Sequence, residues 1–185
     1  MDFFFNPRGI AIIGASTHPF KGGYNILKNI AIGYKGGIYP VNPKYKEIQG
    51  ITCYDSVQNV PDPVDMAIVF VPAQIAVQAV KECAQRGIKG VMIQSAGFAE
   101  TGPTGKSLQT ELLRIPEETG VRLWGPNCMG LVDAVNRHVF SFVLPGIWDD
   151  GLMPGEVSLI VQSGMLSAGF LIDTVSHGTM GISKA

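Results

Sequence analysis

Cysteine and charge are both scarce in this sequence. Cys53, Cys83 and Cys128 stand far apart, with no CxxC pair and no Cys/His cluster. That excludes a disulfide framework and a structural zinc site, fits a reduced cytoplasmic compartment, and leaves no metal-ligand set to propose. Charged residues make up only 16% of the chain and the formal net charge is -1. No concentrated basic face is therefore available for nucleic acid or an anionic membrane surface. Long apolar runs are missing as well. The Phe3-Phe4-Phe5 run follows Asp2 without basic flanks and is too short for a signal sequence or a membrane span.

Hydrophobic residues reach 46%, and the 23 glycines and 12 prolines fall at the ends of short apolar runs, which is how strand-to-helix turns are written. Residues 9–13 (GIAII) form a continuous apolar run ending at Gly14, the pattern of a strand buried on both faces. The spacing predicts a helix over 23–32, a strand over 36–41 and a third strand over 66–71, closed by Pro72 at a helix start. Ala76, Val77, Val80, Cys83 and Ala84 share one helical face, which stops at Arg86-Gly87. A fourth strand over 91–93, a polar helix over 105–118 and a fifth strand over 121–124 follow. This alternation predicts an α/β fold, a doubly wound parallel sheet of Rossmann-like type, over residues 1–135.

Composition changes after Gly130. Residues 136–154 read as a linker, with 138–145 (HVFSFVLP) as an extended stretch or small hairpin. A buried strand over 156–161, a helix over 164–176 and a further strand beginning at Ile182 mark 155–185 as the start of a second α/β domain. Some thirty residues are too few to bury a core of their own, so that domain is expected to be incomplete in this sequence. Its exposed apolar surface would favour self-association.

The strongest local motif is the first strand running into Gly14-Ala15-Ser16 and then Lys21-Gly22-Gly23. Small residues let backbone approach a phosphate, and a helix N-terminus supplies free N–H groups. The anion is not NAD by pattern, because the fingerprint GxGxxG needs glycine where Ser16 stands. NAD also calls for a carboxylate after the second strand, where this chain has Asn42-Pro43-Lys44. Asn42 offers hydrogen bonds to a ring or sugar, and Lys44 a cation suited to a phosphorylated ribose. Both NADP and coenzyme A carry such a phosphate.

Further motifs come in order: Phe5-Asn6-Pro7 before GIAIIGAS, YPVNP at 39–43, FVP at 70–72, SAGFAETG at 95–102, GPNCMG at 125–130 and QSGML at 162–166. Together they resemble the N-terminal part of the NDP-forming acyl-CoA synthetases, which include ADP-forming acetyl-CoA synthetase and the α subunit of succinyl-CoA synthetase. The resemblance implies a coenzyme A-binding Rossmann-like domain followed by the opening of a flavodoxin-like, succinyl-CoA synthetase-like domain. It places the coenzyme A phosphates on Gly14, Ala15, Ser16 and Lys21, and the adenosine along Asn42, Pro43 and Lys44. Val71 and Pro72 would flank the adenine, Ser95, Ala96 and Gly97 would border the pantetheine, and Asn127 would lie near the thiol. Gln162, Ser163 and Gly164 match the helix start that in the family receives the phosphate of a phosphohistidine, although Val161 stands where relatives commonly carry serine.

The parent reaction implied is a ligation: acid, coenzyme A and ATP or GTP give acyl-CoA, nucleoside diphosphate and phosphate. His18, His138 and His177 do not match the family's catalytic histidine, so no catalytic residue is assigned. The resemblance puts that histidine, the ATP-grasp subunit or domain, and the site for ATP or GTP with magnesium outside this stretch. On this reading the stretch alone binds coenzyme A and is inactive. Two other readings are a stand-alone coenzyme A-binding regulatory protein and an NADP-dependent oxidoreductase using Lys44 for the 2′-phosphate. Cys128 lacks an evident activating base, and Ser163 lacks the glycine of a GxSxG elbow. Asp62 and Asp65 read as turn and capping residues, and Glu100 and Asp133 as partners in ion pairs.

Overall fold

The computed structural model describes residues 1–148, 151–178 and 180–185. In chain order its elements are β1 (Gly9–Ile13), α1 (Gly22–Ile30), β2 (Gly37–Val41), β3 (Glu47–Ile48), β4 (Ile51–Thr52), β5 (Met66–Val69), α2 (Ala73–Gln85), β6 (Gly90–Ile93), α3 (Pro103–Thr119) and β7 (Arg122–Trp124). Then follow β8 (Gly130–Asp133), β9 (His138–Ser141), β10 (Pro154–Ser158), α4 (Gly164–His177) and β11 (Ile182–Lys184). They fall into two compact units. The first comprises Met1–His18 with Gly36–Cys128, and the second Pro19–Lys35 with Met129–Ala185.

The first unit is built on a parallel sheet in the order β2-β1-β5-β6-β7. Each expected strand is present, because runs such as MAIV and GVMI have no polar face to offer water and are buried at every position. Strand order reverses between β1 and β5, whose registers pair Ile10 with Met66 and Ile13 with Val69. On one face, Ala11, Val69, Val91 and Ile93 of the sheet form a core with Ala76, Val80 and Cys83 of α2 and Leu112 and Ile115 of α3. Burial of a valine or isoleucine side chain is worth roughly 1.5–3 kcal/mol, so this stripe accounts for the placement of both helices. Cys83 is fully buried in it, and burial pushes its thiol up.

The amino-terminal edge is tied by one carboxylate. Asp65 accepts from the Arg8 Nε at 2.7 Å, Nη2 at 2.8 Å and backbone N at 3.1 Å, and Lys89 stands 3.7 Å away. Asp65 is thus an ion-pair anchor between the starts of β1, β5 and β6, where the sequence suggested a turn or capping residue. Asp62 sits 3.0 Å from Arg86.

The second unit holds a mixed sheet in the order β10-β11-β8-β9. The stretch over 138–145 supplies β9, which pairs antiparallel with β8 ahead of it, Leu131 opposite Phe140. Asp149 and Asp150 of the expected linker lie outside the described residues. Within this unit α1 is fixed by Asn29, whose Nδ2 donates to the carbonyls of Ser141 at 2.8 Å and Val143 at 2.7 Å. Asp133, fully buried, is answered by Lys184 at 3.2 Å, which bears out its reading as an ion-pair former. One expectation fails here. A buried strand was expected over 156–161, but β10 is exposed or half-buried throughout. Among the described residues it is an edge strand with β11 as its single neighbour, in irregular register.

Helix α4 opens at Ser163, whose Oγ accepts from the Leu166 N–H at 3.3 Å. This is an N-cap bond, and Ser163→Ala is expected to cost about 1 kcal/mol, read as a lower midpoint in urea unfolding.

Candidate functional site

Because all five strands of the first unit's main sheet are parallel, their carboxyl ends leave one edge. The backbone ladder runs slightly past the strands there: Phe70 N donates to Ile13 O at 2.9 Å and Gln94 N to Val69 O at 3.1 Å. The segments 14–16, 42–44, 70–72, 95–97 and 125–127 therefore emerge side by side. In open parallel sheets ligands bind at this edge, at the point where strand order reverses. Here that point lies between Gly14 and Phe70-Val71.

Gly14 has φ +92, and a Cβ at this position would run into the Phe70 carbonyl and Val71 Cγ1. Only glycine lets the two chain segments cross so closely. Its own N–H is held by the Val41 carbonyl at 3.1 Å. Ser16 is buried, and its Oγ accepts from the His18 N–H at 3.0 Å, closing a tight turn. Among the described residues, no hydrogen bond takes up the N–H groups of Ala15, Ser16 and Thr17. Successive free N–H groups of this kind form an anion-binding concavity.

The neighbouring segments are braced by side chains. Asn42 Nδ2 donates to the Ala15 carbonyl at 2.8 Å, and Asn42 Oδ1 accepts from Lys44 N at 3.0 Å. Pro43 and Lys44 are exposed. Ser95, buried, accepts from the Val71 N–H at 3.0 Å and donates to the Val69 carbonyl at 3.3 Å, while its own carbonyl accepts from Asn127 N at 3.0 Å. Val71 is half-buried, Pro72 exposed at the N-cap of α2, Ala96 exposed and Gly97 half-buried. Asn127 is exposed with φ +53.

Glu100 acts locally. Its carboxylate accepts the N–H of Gly97 at 2.7 Å and of Phe98 at 3.2 Å, and the Gly97 bond above all holds it below its usual pKa. An ion-pair role was expected, but the structure makes it a cap on the turn after β6. The signal lay in a carboxylate three residues after a loop glycine. The thiols offer no nucleophile. Cys128 Sγ lies 3.4 Å from the Ile93 carbonyl and 3.7 Å from the Trp124 carbonyl, and burial raises the Cys53 thiol's pKa.

The structure thus brings together Gly14, Ala15, Ser16, Asn42, Pro43, Lys44, Val71, Pro72, Ser95, Ala96, Gly97 and Asn127 on one edge of one unit. Lys21 and Gln162, Ser163 and Gly164 belong to the second unit, where they open α1 and α4 respectively. Among the described residues, no three His, Cys, Asp or Glu side chains are grouped to hold a metal, and no helix is long and apolar enough to cross a membrane.

A family model described as a CoA binding domain matches residues 8–134. The chain belongs to the CoA-binding domain family. Among its relatives, the acetate–CoA ligase (ADP-forming) II subunit alpha of Pyrococcus furiosus is 42% identical over 184 residues, spanning 100% of this chain and 39% of that protein. The 4-hydroxybutyrate–CoA ligase (ADP-forming) of Nitrosopumilus maritimus is 29% identical over 173 residues, 94% of this chain and 24% of that protein. The structure of the dinucleotide-forming acetyl-coenzyme A synthetase 1 of Ca. Korarchaeum cryptofilum, in complex with phosphate and ADP, matches with a TM-score of 0.89 at 36% identity. The match covers 99% of this chain and 38% of that one. The resemblance carried by the ordered motifs is borne out, and with it the Rossmann-like coenzyme A-binding fold. This CoA-binding chain spans about two fifths of the length of the Pyrococcus subunit it matches.

Proposed function

We propose that the carboxyl edge of the first unit is the coenzyme A site, and that the chain contributes this site to an ADP-forming acyl-CoA synthetase. The observation that carries the reading is the turn at the strand-order reversal. Gly14 lets the backbone of the turn pass directly against the Phe70 carbonyl, and among the described residues no hydrogen bond takes up the N–H groups of Ala15, Ser16 and Thr17. This suits a pyrophosphate group, so the residues present fit the coenzyme. Lys44 would meet the phosphate on its ribose, with Pro43, Val71 and Pro72 against the adenosine. Ala96 and Gly97 would border the pantetheine, and Asn127 would stand near the thiol.

When bound, coenzyme A supplies the thiol that accepts the acyl group. The residues of this chain bind and orient: amides neutralise phosphate charge, and Ser95 keeps the turns after β5, β6 and β7 in register. Lys21 at the start of α1, and Gln162, Ser163 and Gly164 at the start of α4, each open a helix N-terminus suited to an anion. The α4 terminus is the proposed phosphate station. The carboxylic acid, ATP with magnesium, and an ATP-grasp subunit or domain belong to the proposed whole reaction, and a cytoplasmic location accords with it.

Calorimetric titration of coenzyme A, with dephospho-coenzyme A and NADPH in parallel, tests the reading. Coenzyme A is expected to bind, and Lys44→Ala to weaken it about tenfold, the size of one charge-assisted contact. NADPH binding in place of coenzyme A would overturn the assignment.

A further inference from the structure

Asn42, on the carboxyl edge, is engaged through both its backbone and its side chain. Its backbone N–H donates to Tyr54 O at 2.8 Å, and its carbonyl accepts from Tyr45 N at 3.3 Å and from Cys53 Sγ at 3.5 Å. Its side chain reaches the other way: Nδ2 donates 2.8 Å to the Ala15 carbonyl, 27 positions earlier in the chain, and Oδ1 accepts from the Lys44 N–H at 3.0 Å. The two partners fix the amide's orientation. A carbonyl needs the nitrogen end and an N–H needs the oxygen end, so the flipped amide would set like against like at both. No other side chain of this length serves both. Aspartate would point an acceptor at the Ala15 carbonyl, and alanine would leave both groups without their partner.

One amide therefore sets the distance between the free N–H groups of the 15–17 turn and the backbone that carries Lys44. Lys44 is exposed, and a lysine on an untethered loop is a mobile point charge that distinguishes ligands poorly. Held by the turn through Asn42 Oδ1, its stem starts from a fixed place relative to the anion-binding turn.

We propose that Asn42 is a positioning residue that determines selectivity for a ligand phosphorylated on its ribose. It acts through Lys44 and Ala15, with no contact of its own to the ligand. The sequence alone suggested instead that Asn42 bonds a ring or sugar; its side-chain engagement within the protein motivates the revision. The proposal rests on the coenzyme A reading above.

The test is the ratio of dissociation constants, dephospho-coenzyme A over coenzyme A, measured by calorimetry on the 185-residue protein and its variants, each checked for fold by circular dichroism. A ratio of about ten is expected for the parent, falling to about one in Lys44→Ala. Asn42→Ala is expected to bring it equally low, with no further fall in the double variant, because the two act as one unit. Asn42→Ser keeps a hydroxyl acceptor for the Lys44 N–H but loses the bond to the Ala15 carbonyl, and is expected to recover part of the ratio, which loss of general stability would not produce. If Asn42→Ala weakens both ligands by one factor and leaves the ratio intact, Asn42 is a structural brace and the proposal fails. If Lys44→Ala leaves the ratio intact while coenzyme A still binds, the proposal fails but the coenzyme reading stands. Absence of coenzyme A binding to the folded parent protein would remove the coenzyme reading itself.

Discussion

Gly14→Val is expected to abolish measurable coenzyme A binding and to destabilise the protein by about 2–5 kcal/mol. Two costs add. A β-branched residue at φ +92 lies in a region that L side chains rarely adopt, worth about 1–2 kcal/mol. The added Cβ also meets the Phe70 carbonyl and Val71 Cγ1, and overpacking of this kind costs about 1–3 kcal/mol. Phe70 cannot easily give way, because its N–H is held by Ile13 O and the Val71 N–H by Ser95 Oγ. Any relief must therefore push the 14–16 turn outward, away from the position in which its amides converge. Urea unfolding gives the stability loss and calorimetry the binding. A variant that unfolds at the parent's midpoint and still binds coenzyme A would show that the crossing of β1 and β5 is not where the ligand sits.

Asp65→Ala is expected to cost about 2 kcal/mol at neutral pH, and the loss should vanish in acid. The Asp65 side chain is 8% exposed. Hydrogen bonds from Arg8 are the largest cause holding its pKa down at about 2, against an ordinary value of 3.8. The Arg8 side chain is 66% exposed, so solvent screens part of the attraction, and the magnitude is set below the full shift on that account. A depressed folded-state pKa means the native protein holds the proton less readily than the unfolded chain. The stabilisation is thus complete above pH 3.8 and is lost as pH falls from there through about 2. The stability difference between parent and Asp65→Ala should be flat from pH 7 to about pH 4 and then shrink. Taking the difference cancels other carboxylates, including Asp133, whose buried side chain is held below its usual range by bonds from Asn136 and Lys184 that outweigh its desolvation. A difference that does not change with pH would mean that the lost stability is not the ion pair's.

The parallel sheet was legible in the sequence because its strands are uniformly apolar. GIAII and MAIV have no partner but a neighbouring strand for their backbone and none but a core for their side chains. Helix ends were less so: the end expected for α1 at Ile32 comes at Ile30, since a fraying turn leaves no pattern. Three things could not be read. The β3–β4 hairpin is only two residues long on each side, too short for an alternation to show around its turn at Gln49-Gly50, both at positive φ. The exposure of β10 depends on sheet order, which composition does not encode. The positions 14–16, 42–44, 71–72 and 95–97 lie side by side at one sheet edge, but the hydrogen bonds by which Asn42 and Ser95 brace its turns could not be read. Their partners lie 24 to 27 residues away in the chain, and a hydrogen bond between turns is settled only once the sheet has brought them together.

The turn capped by Glu100 bears on how a ligand lies. At one end of the edge the N–H groups of residues 15–17 have no partner among the described residues, and Lys44 is exposed. At the other, Glu100 has already satisfied the N–H groups of Gly97 and Phe98, and Gln109 Oε1 that of Ala99. The edge is therefore electrically graded, open to anions at the 15–17 turn and less so at residues 97–99. An elongated molecule with a polyanionic head and an uncharged tail has one favourable heading along such a gradient, so its reactive tip is delivered to the same end of the sheet every time it binds.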